Sequence, residues 1–325
     1  MKTALHKKSD NPFKYWFWRA QISILRACPP LCGFVSDSTL GAQNSPMVWI
    51  KTSCRIAARM PQFVFFTLRD RWMKRVSLPR VTIVITMRCT LNCDKCAAHI
   101  PDLKNHADAP ALELLADIRS LLSCVDHIYA VVISGGETFL HPDLDEIIRF
   151  LADSGKVGSI SMATNGTVIP DAKVLTALRE ANVLVKISRY PPTLQPDVEK
   201  LKDILKTNGI RHAHESGAAW SDSGVFGQRK DGSQERRFKI CAQQLCFPYM
   251  GGKLHRCGES AMLVEEGLIA GYEGDYIDLR AINPAAFRGQ WRELLKRRSV
   301  SACSYCLGDT YQSPKVQPAV QREQA

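Results

Sequence analysis

From Val81 the chain alternates strand and helix four times, and this rhythm limits the fold more than any other feature. VTIVITM (81–87), HIYAVVIS (127–134), GSISMA (158–163) and VLVKIS (183–188) read as short, largely apolar strands. Between and after them, ALELLADIRSLLS (111–123), a segment opening near Asp143 behind Pro142, DAKVLTALREA (171–181) and DVEKLKDILKTNG (197–209) carry helical spacing. Neighbouring parallel strands need crossover helices of this kind, so the pattern predicts an α/β fold with a parallel sheet. In barrels of that class the chemistry gathers at the C-terminal ends of the strands. Each strand here ends in suitable residues: Cys89 onward, Ser134-Gly135-Gly136-Glu137-Thr138, Thr164-Asn165-Gly166, and Ser188-Arg189-Tyr190.

Beyond the fourth helix the rhythm stops. Residues 215–240 are polar and Gly/Ser-rich and read as a loop or linker. QLCFPYMGGKLHRC reads as two short strands turning at Gly251-Gly252, a helix is expected near 284–298, and the tail after Tyr311 is expected to be irregular. The expected organisation is an N-terminal extension over 1–79, a partial barrel over 80–235 and a small α+β module over 236–325.

The charge is placed unevenly. Residues 1–80 hold 14 Lys/Arg against 3 Asp/Glu, so the whole net charge of +11 lies there and the remainder is neutral. Four of the six tryptophans, Trp16, Trp18, Trp49 and Trp72, lie in the same stretch. Three readings stay open: amphipathic helices with solvated cations, association with an anionic membrane surface, or binding of a polyanion such as nucleic acid, which is the least expected. No apolar run reaches the roughly 18 residues of a membrane span. The start is not a secretory signal, since Arg19, Arg26 and Pro29-Pro30 interrupt it, and a cytoplasmic location follows as an expectation, with peripheral attachment to the inner membrane surface as an extension of it.

The chain has twelve cysteines, and they cluster. In a reducing compartment disulfides rarely persist, so grouped thiols suggest metal ligation. Cys89, Cys93 and Cys96 form a C-x3-C-x2-C loop behind the first strand. Three thiolates can hold three irons of a [4Fe–4S] cube and leave the fourth without a protein ligand. A zinc site, with His99 nearby as a fourth ligand, and accident in a Cys-rich chain are the alternatives. The later group is Cys241, Cys246, Cys257, Cys303 and Cys306. Cys124, ending an apolar helix, reads as a packed small hydrophobe, and Cys28, Cys32 and Cys54 as structural.

The loop and its position resemble the signature of the radical S-adenosylmethionine (SAM) superfamily. That resemblance implies a partial (β/α)6 barrel of the TIM type, with Cys89, Cys93 and Cys96 holding a [4Fe–4S] cluster whose open iron chelates SAM. One-electron reduction then yields a 5′-deoxyadenosyl radical that abstracts hydrogen from a substrate. Gly135-Gly136-Glu137 resembles the family motif that meets the SAM amino group, Thr164-Asn165 the one at its ribose, and Ser188 is a further SAM contact by the same resemblance. Lys95 stands where the family usually has an aromatic residue.

Cys241, Cys257, Cys303 and Cys306 resemble the ligands of a twitch module, the shortened SPASM domain, which implies a second, auxiliary [4Fe–4S] cluster. Cys246 in place of Cys241, or a zinc ion on the four thiols, are the alternatives. The architecture further resembles compact twitch-bearing enzymes that oxidise a cyclitol. It implies oxidation or rearrangement of a sugar, cyclitol or sugar nucleotide, with flavodoxin or ferredoxin as electron donor. Lys186, Arg189, Tyr190 and Glu215 are the base candidates by position. Epimerisation or crosslinking of a ribosomally made peptide is the alternative activity.

Overall fold

The computed structural model describes residues 61–323, apart from 63, 105, 216–219, 225–231 and 311, together with 19–20 and 23–24. Most of the basic N-terminal stretch, with Cys28, Cys32 and Cys54, lies outside the described residues.

The core is one eight-stranded sheet. Its first five strands are β1 (Val81–Thr86), β2 (Val131–Gly135), β3 (Ile160–Thr164), β4 (Leu184–Ser188) and β5 (His212–Glu215), all pairing in parallel in chain order. The crossovers are α1 (Ala111–Cys124), α2 (Leu144–Asp153), α3 (Ala172–Glu180) and α4 (Val198–Thr207). Their apolar residues recur at helical spacing and turn inward. In α2, Leu144, Ile147, Ile148 and Leu151 are all fully buried, each stabilising by about 1.5–3 kcal/mol over its exposed state. Asp171 starts α3 by accepting the Val174 N–H at 2.9 Å, satisfying a donor the first turn would leave open.

The four predicted strands and four predicted helices are present. The fifth strand, His212–Glu215, was not expected; two histidines and a glutamate on an edge strand give no apolar run to read. The helical rhythm also returns after 230, in α5 (Gln234–Ile240), α6 (Gly258–Glu265) and the expected α7 (Pro284–Lys296).

A larger difference lies in the hairpin. Its strands are β6 (Pro248–Met250) and β7 (Lys253–His255), and the turn between them uses Gly251 and Gly252 at φ +57° and +76°, as a two-residue hairpin turn requires. β6 does not stand apart in a separate module. It pairs in parallel with β1 through Thr82↔Pro248 and Ile83↔Tyr249. It is therefore the sixth parallel strand of the sheet, on the side of β1 away from β2; β7 pairs antiparallel with it, and β8 (Tyr276–Asp278) antiparallel with β7 at the edge.

The tail is not irregular throughout, as expected. Lys315–Val316 pairs antiparallel with Trp220–Ser221, and Gln321 forms a bridge with Cys93. Among the described residues no helix is long and apolar enough to cross a membrane.

Candidate functional site

The C-terminal end of β1 is pressed against the end of β2. The Gly136 N–H donates to Thr86 O at 2.9 Å, and the Glu137 N–H to Arg88 O at 2.8 Å. A Cβ on Gly135 would stand 2.2 Å from Thr86 O; on Gly136 it would stand 2.1 Å from Arg88 O and 3.1 Å from the Cys89 Cβ. Only glycine allows this approach. Arg88 is held by Asp108 (Nε to Oδ1, 3.0 Å), which also accepts from the Thr86 hydroxyl at 2.6 Å. The cysteine loop thus leaves the sheet on a fixed path.

Glu137 is fully buried. Its carboxylate accepts from the Phe139 N–H (3.0 Å), the Thr164 hydroxyl (2.8 Å) and the Asn165 N–H (2.7 Å). Burial raises its pKa, and these three donors oppose the shift. The side chain expected to meet a ligand amino group here ties the end of β2 to the end of β3. Asn165 carries the link onward: its amide donates to Thr90 Oγ1 at 2.9 Å and lies 3.6 Å from Cys89 Sγ, and its Oδ1 accepts from Thr167. Gln195, which carried no signal in the sequence, donates to Asn165 O and to Ser188 O and accepts from the Tyr190 N–H, so it joins the ends of β3 and β4.

The three loop thiols are close enough to act on one another. Burial raises the pKa of Cys89, with Glu137 and Cys96 pushing the same way, and it lifts Cys93 to about 11, with Cys96 and Cys89 adding to it. Thiolates at such a place need a positive centre to offset them. Tyr190 faces the same group: burial lifts its phenol, and all three thiols push it further, so it stays protonated and suits hydrogen-bond donation better than the role of base. Lys186 lies on β4, and Arg189 follows it. Lys95 adopts a left-handed backbone (φ +55°) and pairs with Asp222 at 3.5 Å.

The later cysteines gather at a second place. Cys241, Cys257, Cys303 and Cys306 line one buried cavity together with Glu259 and Arg237. Cys246 is not among its lining residues; its sulfur accepts from the Arg80 guanidinium instead. Two backbone N–H groups point at the cavity's sulfurs, Gly308 to Cys306 at 3.2 Å and Asp309 to Cys241 at 3.3 Å. Gly308 reaches that position with φ +74°. Burial pushes Cys241 and Cys257 well above the ordinary thiol range and Cys306 to about 12. Arg237 and Arg256 pull Cys303 the other way. Arg256 is fully buried, over the rings of Phe238 and Phe247 at 5.1 and 5.2 Å. Four thiols, the Arg237 guanidinium and two N–H···S contacts at one buried cavity fit an anionic iron–sulfur centre, with Glu259 as the one carboxylate of the lining.

The two places are joined by a buried pair that the sequence did not reveal. His99, three residues after Cys96, lies with Nε2 2.6 Å from Oε2 of Glu259, two residues after Cys257. His99 is thus engaged with a carboxylate and not with the loop thiols. Among the described residues no three Cys, His, Asp or Glu side chains are disposed to hold a single metal ion, and the cysteines carry no disulfide.

Residues 83–225 match the family model of the Radical SAM superfamily. The match spans less than half of the chain, and this region is similar to that superfamily. Among particular proteins it is similar to GTP 3′,8-cyclases. It is 28% identical to that of Alkaliphilus oremlandii (strain OhILAs) over 140 residues, covering 43% of this chain and 41% of the relative. It is 30% identical to the probable GTP 3′,8-cyclase of Methanococcus aeolicus over 140 residues, covering 42% and 46%. The chain spans less than half the length of these curated relatives. Similar solved structures include native anSMEcpe with bound AdoMet, at 14% identity and TM-score 0.45, covering 67% of this chain and 80% of that one. Another is BtrN in complex with AdoMet and 2-DOIA, at 14% identity and TM-score 0.42, covering 75% and 96%.

The His99–Glu259 pair sets a pH dependence. Burial alone would lower the histidine pKa, but the hydrogen bond and charge of Glu259 outweigh it and the net shift is upward. The pair's stabilisation is therefore full below about pH 6.5 and is lost as pH rises through the higher folded value. Glu259→Leu should cost about 3–5 kcal/mol in the metal-free protein at pH 6, measured by urea unfolding, and clearly less at pH 9. An equal loss at both pH values would contradict a protonated His99.

Proposed function

We propose that the chain is a radical SAM enzyme with two iron–sulfur centres, acting on a sugar, cyclitol or sugar nucleotide. The observation that carries the reading is the seating of Cys89-x3-Cys93-x2-Cys96 on the glycine pair that ends β2, with Asn165 beside the Cys89 sulfur. Cys89, Cys93 and Cys96 would hold a [4Fe–4S] cluster, which when bound would supply the one-electron reduction of SAM that starts radical chemistry. In this reading Gly135 and Gly136 let SAM approach the strand end. Asn165 would contact its ribose and Ser188 would be a further contact, while Glu137 and Thr164 hold those elements in register. The protonated Tyr190 hydroxyl is a donor toward the same space.

The auxiliary centre is assigned to Cys241, Cys257, Cys303 and Cys306, supported by the cavity they line. The segment bearing it is taken as 236–325, whose strand β6 continues the sheet of the barrel at 80–235, and the extension as 1–79. An auxiliary centre of this kind suits an oxidation, because it can accept the electron left on the substrate after hydrogen and proton have gone. The name of the curated relatives, GTP 3′,8-cyclase, favours a second reading, a purine nucleotide substrate. Flavodoxin or ferredoxin is the expected electron donor.

Anaerobically reconstituted full chain should bind about eight irons, four per centre, and convert SAM to 5′-deoxyadenosine under reduction. Replacing Cys89, Cys93 and Cys96 by alanine should remove about four irons and abolish 5′-deoxyadenosine. Replacing Cys303 and Cys306 should remove the other four and spare SAM cleavage. Wild-type protein saturating near four irons would contradict the second centre. Enhanced SAM cleavage with sugar nucleotides, with GTP or with peptides separates the substrate readings.

Association of residues 1–80 with an anionic membrane is supported by their charge and by the helical stretch 64–72, where Phe65, Leu68 and Trp72 are exposed beside Arg69 and Arg71. The full chain should sediment with vesicles rich in anionic lipid and remain free of zwitterionic ones. Trp72→Ala combined with Phe65→Ala should weaken that binding several-fold, and equal binding to both vesicle types would rule the association out.

A further inference from the structure

The C-terminal tail returns to the cysteine loop. After Lys315–Val316 has paired with Trp220–Ser221, residues 319–322 run antiparallel to Asn92–Asp94. The Asp94 N–H donates to Val320 O at 2.6 Å and the Arg322 N–H to Asn92 O at 2.8 Å. The Arg322 guanidinium forks onto the Asp102 carboxylate at 2.8 and 3.0 Å and lies 3.7 Å from Asp94. Ala319 is buried in a left-handed backbone conformation (φ +59°), which a non-glycine residue keeps only where its surroundings impose it.

Gln321 lies at the centre of the contact. Its Oε1 accepts the Asn92 N–H at 2.8 Å, while its Nε2 donates to Ala319 O at 2.8 Å and to Cys93 Sγ at 3.3 Å. The amide cannot be turned over, since that would set its NH2 against an N–H and its oxygen against a carbonyl and a sulfur. The group facing sulfur is therefore a donor. A donor on a ligand sulfur stabilises the more negative, reduced state of an iron–sulfur centre and raises its potential.

We propose that Ala319–Arg322 is a strap that seats the cysteine loop, with Gln321 as the positioning residue whose amide raises the reduction potential of the centre on Cys93. The inference rests on the reading of Cys89, Cys93 and Cys96 as cluster ligands. The strap itself exists without the cluster and covers Cys93, which is 7% exposed.

Two measurements on full-length Gln321→Ala test it. In the reconstituted protein, an EPR-monitored redox titration should show the first centre harder to reduce by about tenfold in equilibrium constant, about 59 mV lower for one electron. An unchanged potential with iron retained overturns the proposal. In the metal-free protein, iodoacetamide should label Cys93 several-fold faster than in wild type, read by peptide mass spectrometry. If the variant loses the cluster that wild type keeps, faster labelling upholds the strap and an unchanged rate overturns it. If wild type itself holds no [4Fe–4S] cluster on the loop, the underlying reading fails, and labelling alone then judges the strap.

Discussion

Where β2 ends, Gly135 and Gly136 let the backbone from Thr86 to Cys89 pass at distances that any Cβ would block. The path of the cysteine loop depends on this contact. It fixes where Cys89 leaves the sheet, brings Glu137 to the ends of both β2 and β3, and so sets where Asn165 can meet the Cys89 sulfur. Gln195 and the C-terminal strap then close the arrangement from two further sides. The site is a set of strand ends tied by buried hydrogen bonds, whose loss would leave unsatisfied groups at a cost of about 1–3 kcal/mol each.

The two cysteine groups belong to one body. β6 continues the parallel sheet beside β1, so the strand that feeds the first cysteine loop is hydrogen-bonded to the strand that precedes Cys257. The His99–Glu259 pair closes a second link between them within the buried interior. Arg80 contributes a third, by holding Cys246 near the start of β1.

The sheet and its crossovers were legible because apolar strands and amphipathic helices repeat at their own periods, and the cysteine loop and the motifs at the strand ends fell where that repeat placed them. What escaped the sequence was carried by single polar side chains and short edge strands. His212–Glu215 has no apolar run, and Gln195, Gln321 and the His99–Glu259 pair lie far apart in sequence from what they touch. Spacing alone left Cys241 and Cys246 open as alternatives; only the folded chain shows Cys241 lining the cavity and Cys246 against Arg80. Likewise Gly-Gly-Glu could be read as a motif, while the burial of its carboxylate under three donors could not.

The central claim is that three thiols of one short loop hold an iron cube with a corner free for SAM. EPR of the dithionite-reduced protein, recorded before and after SAM is added, tests it most directly. The account predicts a [4Fe–4S]⁺ signal whose g-values shift on SAM addition and which disappears when Cys89, Cys93 and Cys96 are all alanine. A signal from the loop centre that SAM leaves unchanged would contradict it.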